Sequence, residues 1–501
     1  MRIALYLDKG RLWRWQVALA GALRANGHDI FVQFRQAATP LPTSLTAILD
    51  FDGARLKSGP DRLSTRLTVA ALALYDDGGA DVDLTIDLST SDAIQDPSGR
   101  VLRPVYDGSP KDAALFHALL AGRAPFLAVS DSAHDSFWQI GLPALETPSR
   151  LAPSLDQTVS RLIEGLVRIV IAIADRRPHA ANALDVAPEA APARSAATIL
   201  RSASAFTARR TMRKIKNISN KASHNAPRWH IAWRNVSLDV PRQGSRDLRD
   251  FHVLPDDGAR YFADPFIFAH DGQRHVFLEE VPSKTGIGVI SHLTILADGH
   301  ASAVTTVLDT GSHLSYPHVF ARDGDIWMLP ESAAAGGLDL YRAEAFPDRW
   351  TKHARLIEGR VHDATIFEHD GLLWIAAGSE ALQSSTWDAL SLFYAECLNG
   401  PWRAHPDNPV IVDARAARPA GPLWLENGQL YRPAQNCSGG YGSKISIKRV
   451  TKLSPQTFAE EPAGEISFGQ GNGLLGPHTI QCSAGLEVVD VYARPRAIRA
   501  P

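Results

Sequence analysis

Tyr261-Phe262-Ala263-Asp264-Pro265-Phe266-Ile267-Phe268 sets one carboxylate inside an apolar, aromatic run, just ahead of the turn signal His270-Asp271-Gly272. The layout returns three times. Tyr316-Pro317-His318-Val319-Phe320 leads to Asp323-Gly324, and His362-Asp363-Ala364-Thr365-Ile366-Phe367 leads to His369-Asp370-Gly371. Arg418-Pro419-Ala420-Gly421-Pro422-Leu423-Trp424 leads to Asn427-Gly428. Asp264, Tyr316, Asp363 and Ala420 each lie eight residues before the turn glycine. An Asx-Gly pair between alternating runs is the strongest local hairpin signal. Its return every 47 to 57 residues suits the blades of a propeller rather than a sandwich. A last partial unit runs from His478-Thr479-Ile480 to Leu486-Glu487-Val488-Val489-Asp490, which makes five blades. The alternating run from Trp229 is expected to complete the fifth blade and close the ring.

First strands of propeller blades line the central channel, so residues at matching positions converge there. A buried charge without a partner is costly, so Asp264 and Asp363 each need a partner or a function. Glu279 and Glu331 share a second position, seven residues after Gly272 and Gly324, where the next two repeats carry Gly378 and Gln435. Carboxylates gathered this way fit glycosidic chemistry, in which one carboxyl protonates the leaving oxygen and another activates water or attacks the anomeric carbon. The expected roles are Asp264 as base or nucleophile, Glu331 as general acid and Asp363 as modulator, with the roles of Glu331 and Glu279 exchangeable. Glu279, Glu280, Tyr316, His318, His362, Arg418, Arg432, Gln435 and His478 are expected to bind substrate, the arginines hinting at an acidic sugar or a phosphate. The competing reading makes Asp264 and Asp363 caps of blade turns. Asp271, Asp323 and Asp370 are expected to be turn formers only. No His/Cys cluster has ligand spacing. No cofactor is therefore expected, with a calcium ion in the channel left open. Gly439-Gly440-Tyr441-Gly442 is a loop expected at the pocket rim, and Cys437 beside it has no visible base.

The chain has 501 residues, 45% of them hydrophobic, and a formal charge of -2. That length implies two domains, and the charge balance argues against a nucleic-acid partner. Three cysteines cannot build a disulfide framework. The early Asp8 and the short apolar run before it argue against a signal peptide, and no stretch is apolar enough to span a bilayer. A cytoplasmic setting is the expectation.

Residues 1–195 alternate strand and helix patterns, predicting an open α/β sheet. Strands are predicted at Arg2–Leu7, His28–Phe34, Val82–Leu88 and Phe126–Val129, and helices at Trp13–Ala25, Ala113–Leu120 and Gln157–Ile173. Asp8, Lys9, Arg11, Trp13, Asp87 and Ser89 would sit beyond the carboxyl ends of strands, where such sheets bind ligands, or would simply cap loops. No glycine-rich phosphate loop supports a nucleotide there. Residues 196–228 read as an Ala/Pro-rich and then basic linker. Arg209, Arg210, Arg213, Lys214, Lys216, Lys221 and Arg228 make it either a solvated face or a weak contact for anionic lipid. Residues 229–495 form the propeller.

Several motifs occur in order over 229–495: Tyr261 to Phe266, Ser315-Tyr316-Pro317 with Pro330-Glu331-Ser332, Phe346-Pro347-Asp348-Arg349-Trp350, His362 to Phe367, Ala417 to Gly421, and Arg432 to Ser438. Together they resemble the N-terminal domain of plant glucosamine inositolphosphorylceramide transferases and its bacterial relatives. That domain is similar to the five-bladed glycoside hydrolases of family 43 and to the levansucrase and invertase group. The resemblance implies that Asp264, in its Ala-Asp-Pro motif, is the base. The plant proteins carry a separate glycosyltransferase domain after the propeller, with no counterpart before Pro501, so the resemblance carries no expectation of that domain's transfer activity. The first 175 residues resemble a formyltransferase-like domain, without that family's Asn, His and Asp set. The expectation is thus a carbohydrate-active enzyme, hydrolase or transferase, acting on a glycan, glycolipid or sugar nucleotide in bacterial polysaccharide metabolism. The alternatives are a non-catalytic glycan-binding propeller and a protein-interaction scaffold.

Overall fold

The computed structural model describes residues 1–36, 41–54, 61–72, 75, 81–90, 99–177, 201–213, 227–237, 242–255, 257–469 and 474–493. The chain divides into two compact units, Met1–Asn217 with Ala381–Ser385, and Ile218–Glu380 with Thr386–Pro501.

The first unit is built on a six-stranded sheet. Its spatial order is Asp29–Arg35, Arg2–Asp8, Leu84–Asp87, Arg100–Tyr106, Leu127–Asp131, His134–Gly141. The first four strands are parallel, and the last two return antiparallel. The apolar run Ile3, Leu5 and Leu7 is buried, as a strand packed on both faces requires. The helices Arg14–Ala25, Asp112–Leu120 and Leu151–Ala174 cover it. The alternating pattern foretold four of these strands and the three helices, but not Arg100–Tyr106, His134–Gly141 or the antiparallel return, because Phe126 to Val129 reads the same in either direction.

The basic segment expected as a linker is in part a helix. Residues 201–213 are helical, and Ala203 and Phe206 join the first unit's core. Arg210 pairs with buried Asp52 at 2.6 Å, and Arg209 donates to the carbonyl of Leu120. These arginines therefore anchor a helix rather than line a solvated linker. Lys214, Lys216, Lys221 and the Ala/Pro-rich stretch from 178 to 200 lie outside the described residues. No helix among the described residues is long and apolar enough to cross a membrane.

The second unit is a five-bladed propeller. Blade one is Arg260–His270, Gln273–Pro282, Val289–Ile295, Thr305–Leu308. Blade two is Ser315–Arg322, Asp325–Glu331, Gly337–Ala345, Arg349–Glu358. Blade three is Val361–His369, Leu372–Ser379, Ala389–Ala395, Arg403–Ala404, and blade four is Trp424–Glu426, Gln429–Asn436, Lys444–Ser454, Thr457–Ser467. In blade five, Ile480–Ser483 pairs with Leu486–Ala493, which pairs in turn with Arg228–Asn235 and so draws the start of the unit onto its end. The strand at Trp229 closes the ring as its pattern suggested.

The turns explain the repeat. Asp271-Gly272, Asp323-Gly324, Asp370-Gly371 and Asn427-Gly428 all hold both residues at positive φ. Two such residues match the right-handed twist of the paired strands, and Asx with Gly tolerates that backbone best. Blade five makes the same turn with Ala484-Gly485, which carries no Asx signal.

Candidate active site

Each of the first three blades interrupts its first hairpin at the same place. Between Ala263 and Phe266, between Ser315 and His318, and between His362 and Thr365, the register slips. Two residues there face one on the partner strand, which makes a β-bulge. The first bulged residue is Asp264, Tyr316 or Asp363, at φ 50°, 47° and 50°. Left-handed backbone at a residue other than glycine costs on the order of 1–3 kcal/mol and persists only where the surroundings impose it. Three matched outliers, all aimed inward, mark the position as built for side-chain placement. The flanking pairs Ala263 with Glu279, Ser315 with Glu331 and His362 with Gly378 stand in equivalent register. Bulge residue and glutamate thus neighbour each other within one hairpin.

Blade four presents Arg418 and Gln435 instead, joined by a 2.8 Å bond from the Gln435 amide to the Arg418 carbonyl. Gly421 follows, where a Cβ would meet the carbonyl oxygen of Ile480 at 2.1 Å. Only glycine lets the segment that leads into blade four approach Ile480 of blade five this closely.

Two clusters result. In the first, Asp264 and His478 meet at 3.0 Å, His478 and Asp490 at 2.9 Å, and the Thr479 hydroxyl donates to Asp264 at 2.6 Å. Asp490 also accepts from the backbone amides of His478 and Thr479, at 2.8 and 3.1 Å. Burial would lower the pKa of His478, but the flanking Asp490 and Asp264 raise it to about 10. Asp264 lies below the usual carboxylate range: burial pushes it up, and His478 with Thr479 outweighs that. Glu279 belongs to the same cluster, with His313 at 3.2 Å. Burial, reinforced by the charge of Asp264, raises it to about 7.

In the second cluster, Arg418 grips Asp363 with Nε at 2.5 Å and Nη2 at 3.1 Å, and Gln435 adds a donor at 2.8 Å. Burial pushes Asp363 up while Arg418 opposes it. Glu331 meets His362 at 3.1 Å, accepts the Asp363 amide at 3.1 Å, and lies 3.9 Å from Arg418. Burial would raise Glu331, yet these partners bring it down to about 2. His362, within 3.6 Å of Glu380 as well, rises to about 9. The clusters share one electrostatic field: Asp264 responds to Arg418, Asp363 to Asp264, and His313 to Glu331. Asp264 is only 4% exposed and Asp363 only 2%. Both side chains are therefore buried rather than bathed by water.

Tyr316 lies between the clusters. Its hydroxyl accepts the Gly421 amide at 2.6 Å and sits 3.0 Å from the Thr365 hydroxyl, so one blade-two side chain ties blades three and four together. Tyr316→Phe is expected to lower propeller stability by about 1–3 kcal/mol, because it strands a buried donor. Guanidinium unfolding measures it, and an unchanged midpoint would show the hydroxyl to be dispensable.

Not every expected site residue joins. Glu280 points to the opposite face of its strand and pairs with Arg260 at 2.9 Å and the Ser291 hydroxyl at 2.8 Å. Arg432 is held by Glu460 and by the carbonyls of Ala416 and Ala417, inside blade four. His318 accepts the Ile366 amide at 3.3 Å, and burial lowers it to about 4, so it is a neutral joint between blades. These three are corrections: strand alternation and inter-blade packing claim them. Cys437 is buried and pushed up to about 11, which leaves no thiolate.

Other residues enter that the sequence reading passed over. Asp490 carried the signal used for Asp264, a lone acid in an apolar strand. His313, Thr479 and Glu380 carried none. Trp229 packs on His478 with ring centroids 4.1 Å apart, and Tyr441 lies 5.1 Å from His478 with the Arg418 guanidinium 5.3 Å from its ring. The glycine-rich loop thus lays an aromatic ring beside both clusters. Asp264, His478 and Asp490 also form the group, among the described residues, whose donor atoms lie within 4.8 Å of one another, as a metal would need.

Comparison with known proteins bears on the propeller. A transferase named glucosamine inositolphosphorylceramide transferase 1, from Oryza sativa subsp. japonica, is 30% identical over 249 residues, 49% of this chain and 32% of the relative. Its namesake in Arabidopsis thaliana is 31% identical over 206 residues, 40% of this chain and 27% of the relative. The matched region thus spans about a third of the length of these curated relatives. They are plant proteins, which runs against the bacterial setting expected from the sequence, and they match the propeller without bearing on the formyltransferase-like reading. Among solved structures, a family 117 glycoside hydrolase from Zobellia galactanivorans aligns with TM-score 0.34 and 12% identity, covering 54% of this chain and 91% of that one. An α-L-arabinanase from Cellvibrio cellulosa, solved with arabinohexaose, aligns with TM-score 0.32 and 15% identity over 41% and 78%. Residues 255–470, which hold blades one to four, match the family model of the glucosamine inositolphosphorylceramide transferase 1 N-terminal domain.

Proposed function

We propose that the propeller is a carbohydrate-active module that acts on the glycosidic bond of a glycan or glycolipid. Asp264 serves as base or nucleophile and Glu279 as proton donor. The observation that carries this is their opposite electrostatics within one hairpin. His478 and Thr479 hold Asp264 ionised, while burial raises Glu279 to about 7, where it still carries a proton near neutrality. Two carboxyl groups driven apart in this way are what acid–base cleavage of an acetal needs. Glu279 gives its proton to the leaving oxygen as the C–O bond breaks. Asp264 then either takes a proton from the attacking water or bonds to the anomeric carbon.

The donor role expected for Glu331 therefore passes to Glu279, because a carboxyl held at about 2 has no proton to give at working pH. Glu331, Asp363 and Arg418 act instead as a fixed frame for substrate hydroxyls or an anionic group. The names of the plant relatives favour a glycolipid with a phosphoinositol core as substrate. Arg418 and His362 supply the charge to meet such a phosphate.

The test is a screen of aryl glycosides and sugar-nucleotide donors against wild type and Asp264→Asn. Turnover in wild type that falls to background in the variant is expected. Saturable glycan binding without turnover, equal in both proteins, would assign the propeller to binding alone.

A further inference from the structure

The first unit holds a small open crevice, about 50 Å³ in volume, at the carboxyl ends of its two central parallel strands. From Arg2–Asp8 the chain crosses through Arg14–Ala25 to Asp29–Arg35 on one side, while Leu84–Asp87 pairs on the other. The crevice therefore opens where the winding of the sheet reverses, the place at which such sheets receive ligands. Asp8 and Asp87, the last residues of the two strands, both line it.

Each of these acids spends one oxygen on the loop that follows Leu84–Asp87. Asp8 Oδ2 accepts the Thr90 amide at 2.9 Å and the Thr90 hydroxyl at 2.6 Å. Asp87 Oδ1 accepts the Ser89 amide at 3.0 Å and the Ser89 hydroxyl at 2.7 Å. Loop capping, the plain expectation for both, thus explains half of each carboxylate. The other halves, Asp8 Oδ1 and Asp87 Oδ2, are buried without a hydrogen-bond donor. Asp87 Oδ2 is ion-paired with Arg103 Nε at 3.6 Å, beyond hydrogen-bond reach, and Arg103 also donates to the Ser89 carbonyl. Arg11 is committed to Asp112 at 2.5 Å. Asp8 is 2% exposed and Asp87 1%. Leaving a charged oxygen unsatisfied at such depth costs free energy, and the cost persists where a ligand recovers it.

We propose that this crevice binds a small ligand rich in hydrogen-bond donors, a sugar or amino sugar, whose hydroxyl or ammonium groups reach Asp8 Oδ1 and Asp87 Oδ2. Trp13 and Tyr106 on the wall offer apolar faces suited to a sugar ring. An anionic ligand is disfavoured, since both open acceptors carry negative charge.

The experiment is titration calorimetry of the full chain with D-glucose, D-glucosamine and, as control, inorganic phosphate. Asp87→Asn and Asp8→Asn are the test variants. Asparagine keeps the capping oxygen and turns the open acceptor into a donor, so the fold is retained and circular dichroism verifies it. Wild type is expected to bind one of the two sugars saturably, and each variant to bind it at least tenfold more weakly. Preference for D-glucosamine identifies an ammonium as the group read, and equal binding identifies hydroxyls. Absence of sugar binding in wild type, binding that survives in both asparagine variants, or binding of phosphate alone overturns the proposal.

Discussion

Glutamine at position 279 is expected to lower turnover of alkyl glycosides by about 10²–10⁴-fold, the range for loss of a general acid. Nitrophenyl glycosides, whose leaving groups need little protonation, are expected to lose far less. The pH dependence carries the same signature. Burial raises Glu279 to about 7, so wild-type kcat/KM falls as pH climbs past that value and the donor loses its proton. The acid limb belongs to Asp264, which His478 and Thr479 hold below the ordinary carboxylate range against the pull of burial. Glutamine cannot titrate, so the alkaline limb vanishes in Glu279→Gln while the acid limb stays. An alkaline limb that persists in the variant would move the donor role elsewhere, first of all back to Glu331.

Arg418→Ala is expected to destabilise the propeller by about 3–5 kcal/mol, the cost of removing one member of a buried ion pair. Asp363 would keep only the amide of Gln435 among its side-chain partners, in a place 2% exposed. Glu331 would lose the same cation from 3.9 Å. Adding Asp363→Asn to Arg418→Ala is expected to recover part of the loss, because the stranded charge goes with it. Denaturant unfolding of the single and double variants measures this as a cycle. Additive losses would mean that the pair does not interact and that the interior frame is held by something else.

The architecture was legible because the propeller writes its turns into sequence. Asp-Gly and Asn-Gly mark four hairpins at nearly regular spacing, and counting back from each glycine finds the bulge residue. Ala484-Gly485 was not legible, since the backbone of its blade is held by Arg228–Asn235 rather than by turn chemistry. The site was legible to the extent that position within a repeat decides it. Asp264, Asp363, Glu279 and Glu331 follow from the period. Glu280 and Arg432 were misread because composition does not say which face of a strand is inward. The exchange of roles proposed for Glu279 and Glu331 lies deeper. Both glutamates occupy one repeat position, and their difference comes from the neighbours. His362 and the amide of Asp363 stabilise the charge on Glu331, whereas Glu279 meets half-exposed His313 at 3.2 Å. Such neighbours come from other blades, and no local pattern records them.

The opposed states of Asp264 and Glu279 can be read without any substrate. Isotope-edited infrared difference spectra of the resting protein, with carbon-13 in glutamate carboxyls, report whether a glutamic acid is protonated near neutrality. A protonated-carboxyl band that titrates at about pH 7 and is missing from Glu279→Gln is the predicted result. A Glu279 carboxyl already ionised at the pH of an ordinary glutamate, with no such band to lose, would contradict the account.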